Sequence, residues 1–72
     1  MNRIPVKSSN IKSIGHDPDT GIMHVEFSSG DIYEYAGITA QEHRMLLTAN
    51  SVGTHFHQNI RGKKTGRKID SN

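Results

Sequence analysis

The stretch from Ile22 to Tyr35 constrains the fold of this chain more than any other, because its pattern predicts a β-hairpin with one apolar face. In its first half, large apolar side chains occupy every second position: Met23, Val25 and Phe27. The second half repeats the alternation with Tyr33 and Tyr35. Ionisable side chains stand between these positions, so each half predicts a strand that is buried on one side.

The loop between the two strands decides whether these side chains share a face. A three-residue loop over residues 28–30, with Gly30 in the left-handed conformation, places Val25 opposite Tyr33 and brings the apolar positions together. A two-residue loop would slip the register by one and turn both tyrosines to the other face. We predict the three-residue loop, because it alone keeps the large apolar side chains on one face. The chain has two Phe, two Tyr and no Trp, so it offers no other core.

A further strand is predicted before the hairpin, from Ser9 to Asp17, after a flexible lead-in over residues 1–9. Ile11 and Ile14 have opposite parity in it and can face one core only if a bulge falls near Ser13 or Gly15. A turn over residues 17–21, with Pro near its start and Gly at its end, joins this strand to the hairpin. The three strands form a predicted antiparallel meander.

Two helices are predicted after the hairpin. Thr39 and Glu42 form a capping box, and the helix that begins there extends to about Asn50 and covers the apolar face of the hairpin. Ser51 is typical of a second N-cap. The second short helix runs from about residue 52 to 61, with apolar side chains every four residues at Val52, Phe56 and Ile60.

We therefore expect an α+β fold: a three-stranded antiparallel β-meander followed by two short α-helices packed on one face. Residues 1–61 form the single domain of this prediction, and residues 62–72 form a flexible basic tail. The predicted core consists of either Ile11 or Ile14, together with Met23, Val25, Phe27, Tyr33, Tyr35, Ile38, Leu46, Ala49, Phe56 and Ile60.

Composition excludes several classes of protein. The chain has no cysteine, so disulfides, thiolate zinc sites and cysteine nucleophiles are excluded. The N-terminus lacks the apolar core of a signal peptide, and no stretch approaches the roughly 20 apolar residues of a membrane span. We expect a cytoplasmic protein with no membrane role, and a monomer.

Charge is distributed unevenly along the chain. Residues 1–60 carry four Lys or Arg against six Asp or Glu, a net of −2, whereas residues 61–72 carry five against one, a net of +4. The basic residues of this tail are Arg61, Lys63, Lys64, Arg67 and Lys68. They can neutralise phosphates of a nucleic acid, or they can simply form a solvated terminus that aids solubility, and charge alone leaves both interpretations open.

Other candidate sites have simpler structural interpretations. Tyr33 and Tyr35 resemble a base-stacking platform, but their positions opposite apolar residues favour packing in the core, with the hydroxyls at the rim. His55 and His57 point about 200° apart on a helix, so we expect no metal site. The carboxylates and serines fall in turns, caps and the polar face, and no nucleophile elbow, P-loop or dinucleotide fingerprint occurs. We expect no enzymatic activity and no cofactor.

An ordered set of short motifs resembles the KTSC domain family over roughly residues 6–61. These motifs are Ser8-Ser9-Asn10-Ile11, Ile14-Gly15-His16-Asp17, Met23-x-Val25-x-Phe27-x-x-Gly30, Tyr33-x-Tyr35, Ala49-x-Ser51-x-Gly53-x-x-Phe56 and Ile60-Arg61. The family occurs at the C-terminus of some lysyl-tRNA synthetases and as short stand-alone proteins of bacteria and phages. The resemblance implies a small domain of uncharacterised function, for which RNA binding has been proposed from the synthetase context.

Three positions depart from the family pattern. His16 replaces a frequent Tyr, His57 replaces an Asn after the Phe, and residues 64–66 replace a Tyr-Pro-Tyr-like segment. The last departure weakens the expectation of RNA binding, because those tyrosines would be the natural stacking groups for exposed bases. Arg67 and Lys68 keep the paired basic positions that follow.

We expect a non-catalytic module that binds nucleic acid, with RNA preferred, through phosphate contacts from Arg61, Lys63, Lys64, Arg67 and Lys68. The alternative is a protein–protein interaction module, a stand-alone bacterial or phage accessory protein with no nucleic-acid role. Salt separates the two, because phosphate contacts fade as ionic strength rises and an interface on the folded domain does not.

Overall fold

A computed structural model describes residues 2–70 and contains one antiparallel sheet with helices on one of its faces. Five strands follow each other in sequence order across the sheet. They are β1 (Ile4–Pro5), β2 (Ile11–Asp17), β3 (Ile22–Phe27), β4 (Ile32–Tyr35) and β5 (Gly66–Asp70). The helices α1 (Ala40–Leu47) and α2 (Val52–Phe56) lie between β4 and β5, and α2 continues as a π-helical segment, His57–Arg61. The α+β class is confirmed, with a sheet of five strands where three were expected.

The central hairpin has the predicted loop and register. Gly30 has a φ of 97°, and its N–H donates to the Phe27 carbonyl at 2.9 Å. Val25 therefore stands opposite Tyr33, and Met23 stands opposite Tyr35. The three-residue loop is the physical reason that both tyrosines are on the face that the helices cover.

The bulge and the turn predicted before the hairpin are both present. The register between β2 and β3 shifts between Ile11 and Ser13, so that Ile11 and Ile14 both point into the core and are each 1% exposed. At the turn, Gly21 has a φ of 75° and donates its N–H to the Asp17 carbonyl at 2.9 Å. Local sequence signals were sufficient for these features.

The two outer strands were not predicted. Ile4 and Pro5 pair with Ile14 and Ser13 of β2, where the sequence analysis expected a flexible lead-in. Pro5 is tolerated because this strand is at the edge of the sheet, where a missing N–H faces no neighbour. At the other edge, Gly66–Asp70 pairs with β4, where a flexible tail was expected. Residues 71–72 of that predicted tail lie outside the described residues.

The helices begin where the caps predict. The Thr39 hydroxyl accepts from the Glu42 N–H at 3.1 Å, and the Glu42 carboxylate accepts from the Thr39 N–H at 3.0 Å. Helix α1 ends at Leu47, three residues earlier than expected. Ser51 caps α2 by accepting from the Thr54 N–H at 3.3 Å.

The core lies between the sheet and the helices. Its buried members are Ile11, Ile14, Met23, Val25, Tyr35, Ile38, Leu46, Val52, Phe56 and Ile60. Phe27 and Tyr33 pack against this cluster but are only partly buried, which corrects their assignment to the core. Ile32 was not predicted as a buried residue, because its parity in the strand places it on the polar face. It is nevertheless only 9% exposed, at a position where β4 pairs with β5.

Among the described residues, no helix is long and apolar enough to cross a membrane.

Candidate nucleic-acid interface

An open groove of about 350 Å³ lies on the helix-bearing face, between the hairpin loop and the π-helical segment. We call it the Tyr33 groove. Its walls include Asn10, Phe27, Asp31, Tyr33, His57 and Arg61. The hairpin supplies one wall and the π-helical segment supplies the other, so the groove depends on the packing of these two elements.

All four Phe and Tyr rings of the chain form one cluster, and three of them, Phe27, Tyr33 and Tyr35, line this groove. Phe56 and Tyr35 are buried, at 0% and 4% exposure, with ring centroids 5.4 Å apart. Phe27 and Tyr33 meet edge to face at 90°, with centroids 5.5 Å apart, and remain half-buried. The two incompletely covered rings of the cluster thus both face the groove.

Arg61 lies on the opposite wall, at the end of the π-helical segment. Burial raises the pKa of the Tyr35 hydroxyl above its ordinary value, and the positive charge of Arg61 opposes this rise. Arg61 and Lys63 are both exposed. Neither forms an ion pair with a carboxylate in the part of the chain that the structure describes.

The other three predicted phosphate contacts are ion-paired within the molecule. Lys64 Nζ lies 3.3 Å from Glu42 Oε2 and donates to the Gly37 carbonyl at 2.9 Å. The remaining two pairs are Arg67 with Glu34 at 3.2 Å, and Lys68 with Asp31 at 3.5 Å. The basic segment therefore meets carboxylates of the body at three points.

These cations do not form one patch. Arg67 is opposite Glu34 and Lys68 is opposite Tyr33, so the two successive residues of β5 point to opposite faces of the sheet. Lys68 lies on the side of the Tyr33 groove, where its partner Asp31 forms part of the wall. Arg67 lies on the face away from the helices. Arg61 lines the groove, Lys68 is connected to its wall through the ion pair with Asp31, and Arg67 is separated from both.

Glu34 connects three strands on that outer face. Its carboxylate accepts from His24 Nε2 of β3 at 3.0 Å and from Arg67 Nε of β5 at 3.2 Å. The hydrogen bond from His24, followed by that from Arg67, lowers the pKa of Glu34 against the opposing effect of desolvation. The cross-strand pair of His24 and Glu34 therefore extends to Arg67 of β5.

A second histidine pair lies beside α1. The rings of His16 and His43 stack with centroids 4.7 Å apart. His16 Nε2 lies 2.7 Å from the Ile38 carbonyl oxygen, which can only accept, so this nitrogen carries the proton. His43 Nε2 is buried and has no hydrogen-bond partner among the described residues. Among the described residues, no three His, Cys, Asp or Glu side chains are grouped as metal ligands would be.

Sequence reasoning missed Asp31, Asn10 and the two half-buried rings as parts of a common site. One signal was available for the first of these. The acidic body and the basic tail have opposite net charges, and this complementarity predicts that the tail folds back onto the body. No sequence signal indicated that the tyrosine at position 33 would be only partly covered by the helices.

Comparison with known proteins identifies the family. A model of the KTSC domain matches residues 7–63. The chain belongs to the KTSC domain family. The resemblance drawn from the sequence motifs is therefore confirmed, and the KTSC match ends just before the segment that forms β5.

Relatives of this KTSC domain include both short proteins and much longer enzymes. The crystal structure of a KTSC domain protein from Yersinia pestis has a TM-score of 0.91 and 39% identity, and the match covers 96% of this chain and 97% of that one. An uncharacterized protein from Stutzerimonas stutzeri is 43% identical over 58 residues, which are 81% of this chain and 82% of the relative. A lysine–tRNA ligase from Nostoc sp. is 37% identical over 57 residues, 79% of this chain but 10% of the ligase.

Proposed function

We propose that this KTSC domain binds RNA without catalysing a reaction, and that Arg61 and Lys63 are its principal phosphate contacts. The observation that carries the proposal is the position of Arg61, an exposed cation without a carboxylate partner among the described residues, beside a groove walled by half-buried aromatic rings. Cationic and aromatic groups side by side are the two components of sites for single-stranded nucleic acid.

The relatives support RNA as the polyanion in this proposal. Lysine–tRNA ligases, by name, act on a transfer RNA, and part of each of three such ligases is similar to this chain. A small domain attached to such an enzyme is well suited to contact its RNA. We extend this role to the present chain, which corresponds to only 10% of each ligase.

Lys64, Arg67 and Lys68 take a secondary role in this proposal. Each already neutralises a carboxylate of the body, so a phosphate would have to compete with Glu42, Glu34 or Asp31. Surface ion pairs of this kind are weak, with a typical contribution of about 0–1 kcal/mol, and they do not prevent such competition. We expect these three cations to contribute to RNA affinity less than Arg61 and Lys63.

The proposal is tested by fluorescence anisotropy with a labelled short single-stranded RNA, across about 50 to 200 mM salt. We expect binding that weakens with salt, and a salt slope reduced by about 0.7 in Arg61→Gln. Arg44→Gln is the matched control, since Arg44 is an exposed arginine on α1 outside the Tyr33 groove. Equal effects of the two substitutions would contradict a specific role for Arg61, and no binding at low salt would contradict the function itself.

A protein–protein interaction module is the second candidate function. Met45 on α1 is 51% exposed and Ile69 on the edge strand β5 is 39% exposed, and both are suited to an apolar partner. Binding of this kind would persist at high salt and would be insensitive to Arg61→Gln. Because β5 is part of the sheet, substitutions are a better test of the basic segment than removal of residues 62–72.

A further inference from the structure

We propose that the Tyr33 groove holds a single unpaired RNA base, with the adjoining phosphate on Arg61. This inference rests on the proposed RNA-binding function and adds the component of RNA that the groove recognises. The three features that carry it are the size of the groove, the arrangement of its rings and the polar and charged groups on its walls.

The groove has the size of a site for a small planar group. Its volume of about 350 Å³ lies at the lower end of the range of ligand pockets, about 300–1,000 Å³. It is an open groove and not an enclosed cavity, so a nucleotide within a longer strand can enter it without its neighbours being buried.

The rings of Phe27 and Tyr33 form a corner within the groove. They meet at 90° with centroids 5.5 Å apart, so they are in direct edge-to-face contact and leave no space between them. A flat group in the corner beside this contact would stack on the free face of one ring and meet the other ring edge on. Both rings are incompletely covered although the chain has few aromatic side chains for its core. Stacking on such rings accepts any base, because every base has a π face.

Polar groups surround this corner. The Asp31 carboxylate remains about one-third exposed and, besides its ion pair with Lys68, can accept from a base amino group. The Asn10 side-chain amide makes no hydrogen bond within the part of the chain that the structure describes, and it lines the same groove. The amide can therefore donate and accept, as the edge of a base requires.

Charge favours a nucleotide over an apolar peptide side chain. Arg61 lines the groove without a carboxylate partner among the described residues, and Lys68 is paired with Asp31 of the groove wall. A base with a flanking phosphate can stack on the rings and form an ion pair with the Arg61 guanidinium at the same time. An aromatic peptide side chain would stack on the rings but would supply no anion for Arg61.

The test compares two ligands on three proteins. The ligands are a short single-stranded RNA and an abasic oligomer of the same length, which keeps the phosphates and lacks the bases. Tyr33→Leu keeps the apolar bulk without the aromatic ring, and Tyr33→Phe keeps the ring without the hydroxyl. We expect Tyr33→Leu to bind the RNA about tenfold more weakly and the abasic oligomer as the unmodified protein does, while Tyr33→Phe retains full RNA affinity.

A second measurement on the unmodified protein is independent of how the variants fold. Stacking of a base should move the Tyr33 ring proton resonances upfield with RNA and leave them in place with the abasic oligomer. Equal weakening of both ligands by Tyr33→Leu, or unmoved ring resonances, would overturn the base-binding role while leaving phosphate binding intact. Failure of both ligands to bind would overturn the proposed RNA-binding function on which this inference depends.

Discussion

At the scale of single residues, Gly66 decides whether β5 can close against the sheet. It pairs with Tyr35 in the register, and a β-carbon at position 66 would overlap the Tyr35 ring. Tyr35 is itself only 4% exposed and is held by Phe56, so the ring has little freedom to move away. A glycine that looks like a linker in the sequence is thus a packing residue.

We expect Gly66→Ala to lower the free energy of unfolding by about 1–3 kcal/mol, the usual range for overpacking. Urea denaturation followed by circular dichroism measures this change. Thr65→Ala serves as the control, because Thr65 is exposed and precedes the strand. Equal stability of the Gly66 and Thr65 variants would show that the close approach of β5 to Tyr35 is not maintained in solution.

His43 makes stability depend on pH near neutrality. Burial, followed by the neighbouring His16, lowers the pKa of His43 below its ordinary value of 6.5, so the folded state favours the neutral ring. A lowered pKa contributes stability that is complete above about pH 6.5 and is lost as pH falls through the folded-state pKa.

Unfolding by urea at about pH 7.5 and about pH 5.5 tests this role. We expect the protein to be less stable at the lower pH, and His43→Gln to show a smaller loss, since glutamine does not titrate. The carboxylates with lowered pKa values, Glu34 and Glu42, titrate below about pH 4.5 and leave this window unaffected. The same loss in His43→Gln would assign the pH dependence to another group.

At the scale of elements, the sequence predicted the loops and helix caps that depend on neighbouring residues. The three-residue loop at Gly30 and the capping box of Thr39 and Glu42 are each set by residues within a few positions of one another. The outer strands are set by distant partners. Strand β5 has no apolar alternation, and its order depends on carboxylates and a tyrosine ring some thirty residues earlier.

The sequence analysis was accordingly least informative about the site. It named Arg61, but it placed Phe27 and Tyr33 in the core and treated the basic tail as a single patch. The exposure of the Phe27 and Tyr33 rings depends on how α2 and the π-helical segment pack on the sheet. No short sequence pattern predicts this packing.

The ion pairs of Glu34 hold β5 to the sheet from the face opposite the helices. Glu34→Gln removes the charge that binds both Arg67 and His24, so we expect faster amide hydrogen exchange across residues 66–70. Glu26→Gln is the matched control, because Glu26 accepts from the Ser13 hydroxyl and has no contact with β5 in the register. Equal exchange in β5 of both variants would show that pairing of the backbone alone holds the strand.

At the scale of the whole molecule, most of the basic segment's charge is paired with carboxylates of the folded body. Three cations of the basic segment neutralise three carboxylates of the body, which leaves Arg61 and Lys63 as the exposed cations of that segment without such partners in the described structure. Net charge therefore overstates the size of the positive surface. Of these two cations, Arg61 lines the Tyr33 groove.

The measurement that tests this account most directly is an NMR titration of isotope-labelled protein with a short single-stranded RNA, at low salt and again near physiological salt. We predict shifts centred on Arg61, Lys63, Tyr33 and Asp31, which become smaller as salt increases. Shifts confined to Lys64, Arg67 and Lys68 would contradict the location of the site. An absence of shifts at low salt, where weak phosphate contacts are strongest, would contradict RNA binding by this KTSC domain.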